Sequence, residues 1–177
     1  MSFNEKTLDE QYIYNGKILN LRKDKVELPD GKTSYREVVE HNGGSAVLCE
    51  MDGKVLLVKQ FRYPYKKEIL ELPAGKLNPG ELPEVTAIRE LEEEGGVRAE
   101  SVELMFEVYP STGYTDEIIR IYRAKNVVKT KAHLDEGEFL DSVWIDKRQL
   151  KEMVKKGEIK DAKTLVALLA EFSGDNV

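Results

Sequence analysis

Residues 75–97 read GKLNPGELPEVTAIRELEEEGGV. Val85, Ile88 and Leu91, led in by Leu82, recur at three-residue steps, the period of a helix with one buried apolar stripe. Gly95-Gly96 supplies a stop, because glycine enters the left-handed conformation without steric cost. Four carboxylates, Glu90, Glu92, Glu93 and Glu94, crowd five consecutive positions immediately before that pair, at the C-terminal end of the helix. That is the negative end of the helix dipole, where each costs a few tenths to about 1 kcal/mol. Glu90 also lies three and four residues from Glu93 and Glu94, so these three share a face and repel. Arg89 flanks the group and Arg98 follows only beyond the glycines. A hard divalent cation, which prefers carboxylate oxygens and water, is the simplest compensating partner. An acidic helix face is otherwise ordinarily a solvated surface.

Spacing decides between these readings. Gly75, Glu81, Arg89-Glu90-Leu91, Glu93-Glu94 and Gly96-Val97 match the signature of the Nudix hydrolases at every fixed position, and the chain resembles that family. The resemblance implies an α/β/α sandwich with a mixed sheet over 43–177, preceded by a small N-terminal antiparallel sheet over 1–42. It also implies hydrolysis of a nucleoside diphosphate linked to another moiety. Water attacking a phosphoanhydride is opposed by the substrate's charge, which bound metal neutralises while acidifying the water.

The flanks narrow the resemblance. Gln60-Phe61-Arg62, Leu72-Pro73-Ala74-Gly75, Tyr114-Thr115-Asp116-Glu117, Leu134-Asp135-Glu136-Gly137-Glu138 and Asp161-Ala162-Lys163-Thr164 are similar to the bacterial ADP-ribose pyrophosphatase group. Thr112 departs from that group, which usually has proline there. The implied reaction is ADP-ribose plus water giving AMP and ribose 5-phosphate. The implied metal is magnesium, with manganese as a substitute, as two or more ions. Carried over by position, Glu90, Glu93, Glu94, Glu138 and the Ala74 carbonyl are metal ligands. Glu136 is the base on a loop, with Glu138 as the competing assignment, and Arg89 orients the glutamates. Arg62 and Arg36 are matched to substrate contacts, since guanidinium groups grip phosphate. Glu117 is matched to the terminal ribose side, and Tyr12 or Tyr14 to stacking on adenine. The group is also similar to homodimers in which the N-terminal sheet completes the partner's pocket.

Composition is consistent with this. The 177 residues are 41% hydrophobic and 34% charged, which describes a globular domain able to bury a core. A net charge of −6 without a basic cluster argues against nucleic-acid binding. No apolar run reaches membrane-spanning length, the N-terminus lacks signal-peptide character, and a cytoplasmic location is expected. The single cysteine, Cys49, sits in an apolar run and is expected to be a buried hydrophobe. Residues 1–9 read as a loose arm. Strands are expected from Gln11 to about His41, with turns at Asn15-Gly16 and Pro29-Asp30-Gly31. Ser45–Met51 and Lys54–Arg62 are expected as strands about Asp52-Gly53, and Glu68–Leu72 as another. Ser101–Tyr109, Glu117–Ala124 and Phe139–Ile145 complete the strands, and two closing helices are expected at Lys147–Lys156 and Asp161–Phe172. The rival readings are a broader nucleoside-diphosphate-sugar pyrophosphatase, a non-catalytic ADP-ribose sensor, and an RNA-cap hydrolase, for which a basic groove would be needed.

Overall fold

The computed structural model describes residues 3–173. The chain divides into two units, Met1–Gly43 with Tyr109–Ile118, and Gly44–Val108 with Ile119–Val177.

The first unit is an antiparallel meander of β1 (Lys6–Asn15), β2 (Leu19–Glu27) and β3 (Thr33–His41). β1 starts at Lys6, so half of the expected loose arm is strand; β2 gives its backbone a ladder from Lys6 onward. Gly31, at φ +80°, turns β2 into β3. The segment 109–118 joins along β3: Val39 donates its N–H to the Tyr114 carbonyl at 2.7 Å, and the His41 N–H donates to Asp116 Oδ1 at 2.9 Å. Every residue of β1 is exposed, including Tyr12, Ile13 and Tyr14.

The second unit holds two sheets. β4 (Gly44–Leu48) lies between β8 (Ala74–Lys76), antiparallel to it, and β10 (Ile119–Lys129), parallel to it, and β9 (Val97–Val108) pairs antiparallel with β10. The other sheet sets β6 (Lys54–Arg62) beside β11 (Leu140–Asp146), β5 (Glu50–Met51) and β7 (Lys67–Glu71). Strand alternation splits the apolar runs between two layers. Val47, Cys49, Leu56 and Tyr122 pack against Ala87 and Leu91 of α1 (Pro83–Gly95). Ala46, Leu48, Val55, Leu57 and Ile121 pack on the other side, against Leu150 of α2 (Lys147–Lys155) and Ala167, Leu168 and Phe172 of α3 (Ala162–Ser173). The result is an α/β/α sandwich with a mixed sheet. Among the described residues, no helix is long and apolar enough to cross a membrane.

The expected stripe on α1 needs correction. Leu82 is 59% and Val85 49% exposed, while Thr86, Ala87, Leu91, Glu94 and Gly95 are buried. The helix presses its small residues onto the sheet instead. A Cβ on Gly95 would stand 2.6 Å from Leu56 Cδ2, so this glycine serves close packing and Gly96, at φ +60°, is the stop. The rotation takes Glu94 into the interior along with Leu91.

Candidate active site

α1 begins on Pro83, whose carbonyl accepts from the buried Ser45 hydroxyl of β4 at 2.8 Å. Its far end is tied down twice. The orphan carbonyl of Glu93 accepts the His133 N–H at 2.9 Å, and that of Gly96 accepts the Thr130 N–H at 2.7 Å. The loop carrying Glu136 and Glu138 is thereby attached to the helix carrying Glu90, Glu93 and Glu94.

Arg89 stands among these acids. It donates from Nη1 to Glu90 Oε1 at 2.6 Å and to Glu93 Oε2 at 2.7 Å. Its Nε and Nη2 grip Glu81 at 2.9 and 3.0 Å, which holds the Glu81 carboxyl down at a pKa of about 2. The arginine therefore bridges Glu90 and Glu93 and is itself held from the loop before the helix. Glu92, the fourth carboxylate, points to the outside and pairs with Arg98 at 2.8 Å.

Glu94 accepts the Ala74 N–H at 2.8 Å. Burial still dominates, and with repulsion from Glu90 and Glu138 it raises Glu94 to about 8. Glu90 is pushed up as well, by burial against the pull of Arg89. Gly75 makes room for this arrangement, because a Cβ there would run into the Glu90 carboxyl. Gly75→Ala should cost about 10²-fold in kcat by displacing that carboxylate. Its thermal midpoint should stay near wild type, since a side-chain end can move aside; melting curves beside initial rates check both.

Among the described residues the acids do not already converge into a closed cage, because Arg89 spans Glu90 and Glu93. Their chemistry nonetheless fits a divalent cation. The donors are hard oxygens, Glu94 is buried with the partly buried Glu90 one turn away, and burial raises the pKa of both, so that their charged forms are under-compensated. Glu138 stands near enough to repel both, and its side chain folds onto the Asp135 N–H at 3.4 Å. Glu136 is exposed in the same turn, which Gly137 closes at φ +83°.

Arg62 is engaged by Glu71, at 2.5 Å from Nε and 2.9 Å from Nη2. Lys163 donates to the same carboxylate at 2.6 Å. Burial works against the Glu71 charge, but the two cations outweigh it and hold the pKa below the usual range. Sequence reasoning missed Glu71 and Lys163 as partners; Glu71 lies within the strand expected over Glu68–Leu72, and nothing in the local pattern marks it as buried.

The remaining expected residues belong to the first unit. Arg36 pairs with Glu5 and donates to the Tyr35 carbonyl at 2.9 Å. The Tyr12 hydroxyl donates to Glu40 at 3.2 Å, and Tyr14 is exposed. Glu117 lies 3.4 Å from His41 Nδ1 and takes its backbone bond from N–H to Thr115 Oγ1 at 3.2 Å.

Comparison with known proteins agrees with the fold and the helix. A family model described as NUDIX domain matches residues 39–168, and one described as nucleoside diphosphate sugar hydrolase N-terminal domain matches residues 5–39. The chain is 44% identical to the ADP-ribose pyrophosphatase of Bacillus subtilis (strain 168), over 94% of this chain and 92% of that one. It is 43% identical to the methanol dehydrogenase activator of Bacillus methanolicus, over 94% and 91%. A crystal structure of an ADP compounds hydrolase superposes with a TM-score of 0.83 at 18% identity, over 97% of this chain and 96% of that one, a likeness of fold. With its glutamate helix, its sandwich and its matched length, the chain belongs to the NUDIX family of pyrophosphatases.

Proposed function

We propose that the protein hydrolyses the pyrophosphate of ADP-ribose to AMP and ribose 5-phosphate, with magnesium, or manganese in its place, as two or more ions. The observation that carries this reading is the gathering of Glu90, Glu93 and Glu94 on α1, with Arg89 setting their orientation. The name borne by the Bacillus subtilis relative points the same way.

The residues that would hold the metal are Glu90, Glu93, Glu94, Glu138 and the carbonyl of Ala74. A divalent cation, when bound there, offsets the charge of the pyrophosphate and lowers the pKa of the attacking water. Glu136 takes the proton from that water at its carboxylate as the oxygen attacks phosphorus and the bridging P–O bond breaks. Its exposed place in the Asp135–Glu138 turn suits a group that must reach a substrate. Arg62 and Arg36 are assigned to phosphate, Glu117 to the terminal ribose, and Tyr12 or Tyr14 to the adenine. The reading includes a cytoplasmic location and a homodimer, the latter supported by the exposed side chains of Tyr12, Ile13, Tyr14 and Tyr35. The buried Cys49, its thiol pushed up to about 12 mainly by burial, is a packing residue in it.

The test is product analysis with ADP-ribose, GDP-mannose and ADP-glucose in parallel, each with magnesium. AMP and ribose 5-phosphate should form from ADP-ribose at a kcat/KM at least about tenfold above the others. Comparable turnover of all three would replace the narrow reading by a broader nucleoside-diphosphate-sugar pyrophosphatase. Tight ADP-ribose binding without products would make the protein a sensor.

A further inference from the structure

Arg62 closes β6 and Glu71 closes β7, and their side chains meet at a place no single strand could support. Glu71 is 3% exposed. A carboxylate so buried must find positive charge or give up its own. It finds two cations. Arg62 takes both oxygens with one edge of its guanidinium, and Lys163, itself buried at the start of α3, reaches Oε2 from the interior side. Lys163 also donates to Asp161 Oδ1 at 2.9 Å. Asp161 Oδ2 accepts the Thr164 N–H at 3.0 Å and the Thr164 hydroxyl at 2.6 Å, capping α3. Thr164 Oγ1 in turn accepts the Leu72 N–H at 2.8 Å. Two residues on from Leu72, the Ala74 N–H binds Glu94. The network thus runs from the third helix to the edge of the acidic site.

Charge counting shows what Lys163 adds. Glu71 and Asp161 carry two negative charges, Lys163 and Arg62 two positive. Without Lys163, Glu71 would depend on Arg62 alone, and the region beside Glu94 would gain one negative charge. With it, Glu71 is already compensated from within. The Arg62 guanidinium, five donors in a rigid plane, then keeps its second edge for another anion, and its side chain is 39% exposed.

We infer that Lys163 is a positioning residue for Arg62: by neutralising Glu71 from the interior it holds the guanidinium in place and leaves one edge of it for the pyrophosphate of the substrate. The inference rests on the proposed hydrolysis. Lys163 touches no substrate; it acts through Glu71.

The experiment is a double-mutant cycle of Lys163→Gln and Arg62→Ala in the full chain, read in KM and kcat separately. It uses whichever nucleoside diphosphate sugar of the panel is turned over fastest, so losing the ADP-ribose assignment leaves it intact. Should none be turned over, the ADP-ribose dissociation constant replaces KM; absence of binding as well would overturn both readings together. Lys163→Gln should raise KM roughly 10–30-fold, the effect of weakening one charge-assisted contact. It should leave kcat within about threefold, and Lys163→Arg should recover most of the loss. In the Arg62→Ala background the same change should alter KM by less than about twofold, because its route is gone. An equal loss in both backgrounds would overturn the inference and make Lys163 a core counterion only. If Lys163→Gln does not fold, Glu71→Gln takes its place in the cycle, with the same non-additivity expected and the same additive result overturning it.

Discussion

Glu93→Gln should lower kcat roughly 10³-fold, the several kcal/mol that a metal-bound site supplies to the transition state, and shift the thermal midpoint by no more than about 3 °C. The two halves of this expectation come from different atoms of one residue. What Glu93 gives the fold is its backbone carbonyl, which accepts the His133 N–H, and glutamine keeps that. Its carboxylate is part exposed and pairs with Arg89 four residues earlier, an interaction worth about 0.3–0.5 kcal/mol on a helix surface. A glutamine oxygen can still accept from Arg89. What disappears is one anionic oxygen on the face shared with Glu90 and Glu94, where charge is the point. Glu92→Gln is the internal control. It removes the same charge one position away, but from a side chain paired outward with Arg98, and should leave kcat within about twofold. Rates of AMP release alongside melting curves decide the matter. A loss below tenfold for Glu93→Gln, or equal losses for both variants, would take the acidic face out of the chemistry.

Much of this arrangement is legible in the chain, and the parts that are not have physical reasons. Asp52 and Gly53 both take positive φ, 51° and 72°, so Asp-Gly between apolar runs marks a real hairpin turn. Yet the two apolar strands on either side of it go to different sheets. Only the short β5 pairs with β6, while Gly44–Leu48 pairs with Ile119–Arg123 some seventy residues on. Local pattern carries no information about so distant a partner. The α1 face departs from the hydropathy pattern for a different reason. Hydropathy favours Leu82, Val85 and Ile88 as the inner stripe, but close approach to Leu56 requires small side chains, and Ala87 and Gly95 meet it. The glutamate cluster was readable because its cost was readable, in repulsion at the negative end of a helix. Glu71 was not, because the cations that make its burial tolerable come from Arg62 and from Lys163, ninety-two residues away.

The second large effect is on stability, and it has an unusual sign. Stripped of metal by a chelator, the protein should become less stable as pH rises from about 5 to 8, with a fall in thermal midpoint of roughly 10 °C for a chain of this size. Burial raises Glu94 to about 8 in the folded protein, against an ordinary value of 4.5. Between those values the native state holds a proton that the unfolded chain has released. Stability therefore falls as pH rises, by about 1.4 kcal/mol for each pH unit over which the difference persists. Glu90, also raised, adds to the slope. The carboxylates held low, Glu71, Glu81 and Glu171 among them, act in the opposite sense, but their window lies below 4.5 and leaves this range untouched. Glu94→Gln keeps an oxygen for the Ala74 N–H and has nothing to ionise at that position, so most of the fall should disappear and only the part due to Glu90 should remain. Saturating magnesium should reverse the trend in the parent protein, since a ligand bound only by the native state stabilises it, and does so better once the carboxylates are deprotonated. A midpoint in chelator that stays flat or climbs between pH 5 and 8 would mean that Glu94 ionises inside the fold at no cost. The acids would then need no cation, and the case for a metal at this helix would fail at its physical root.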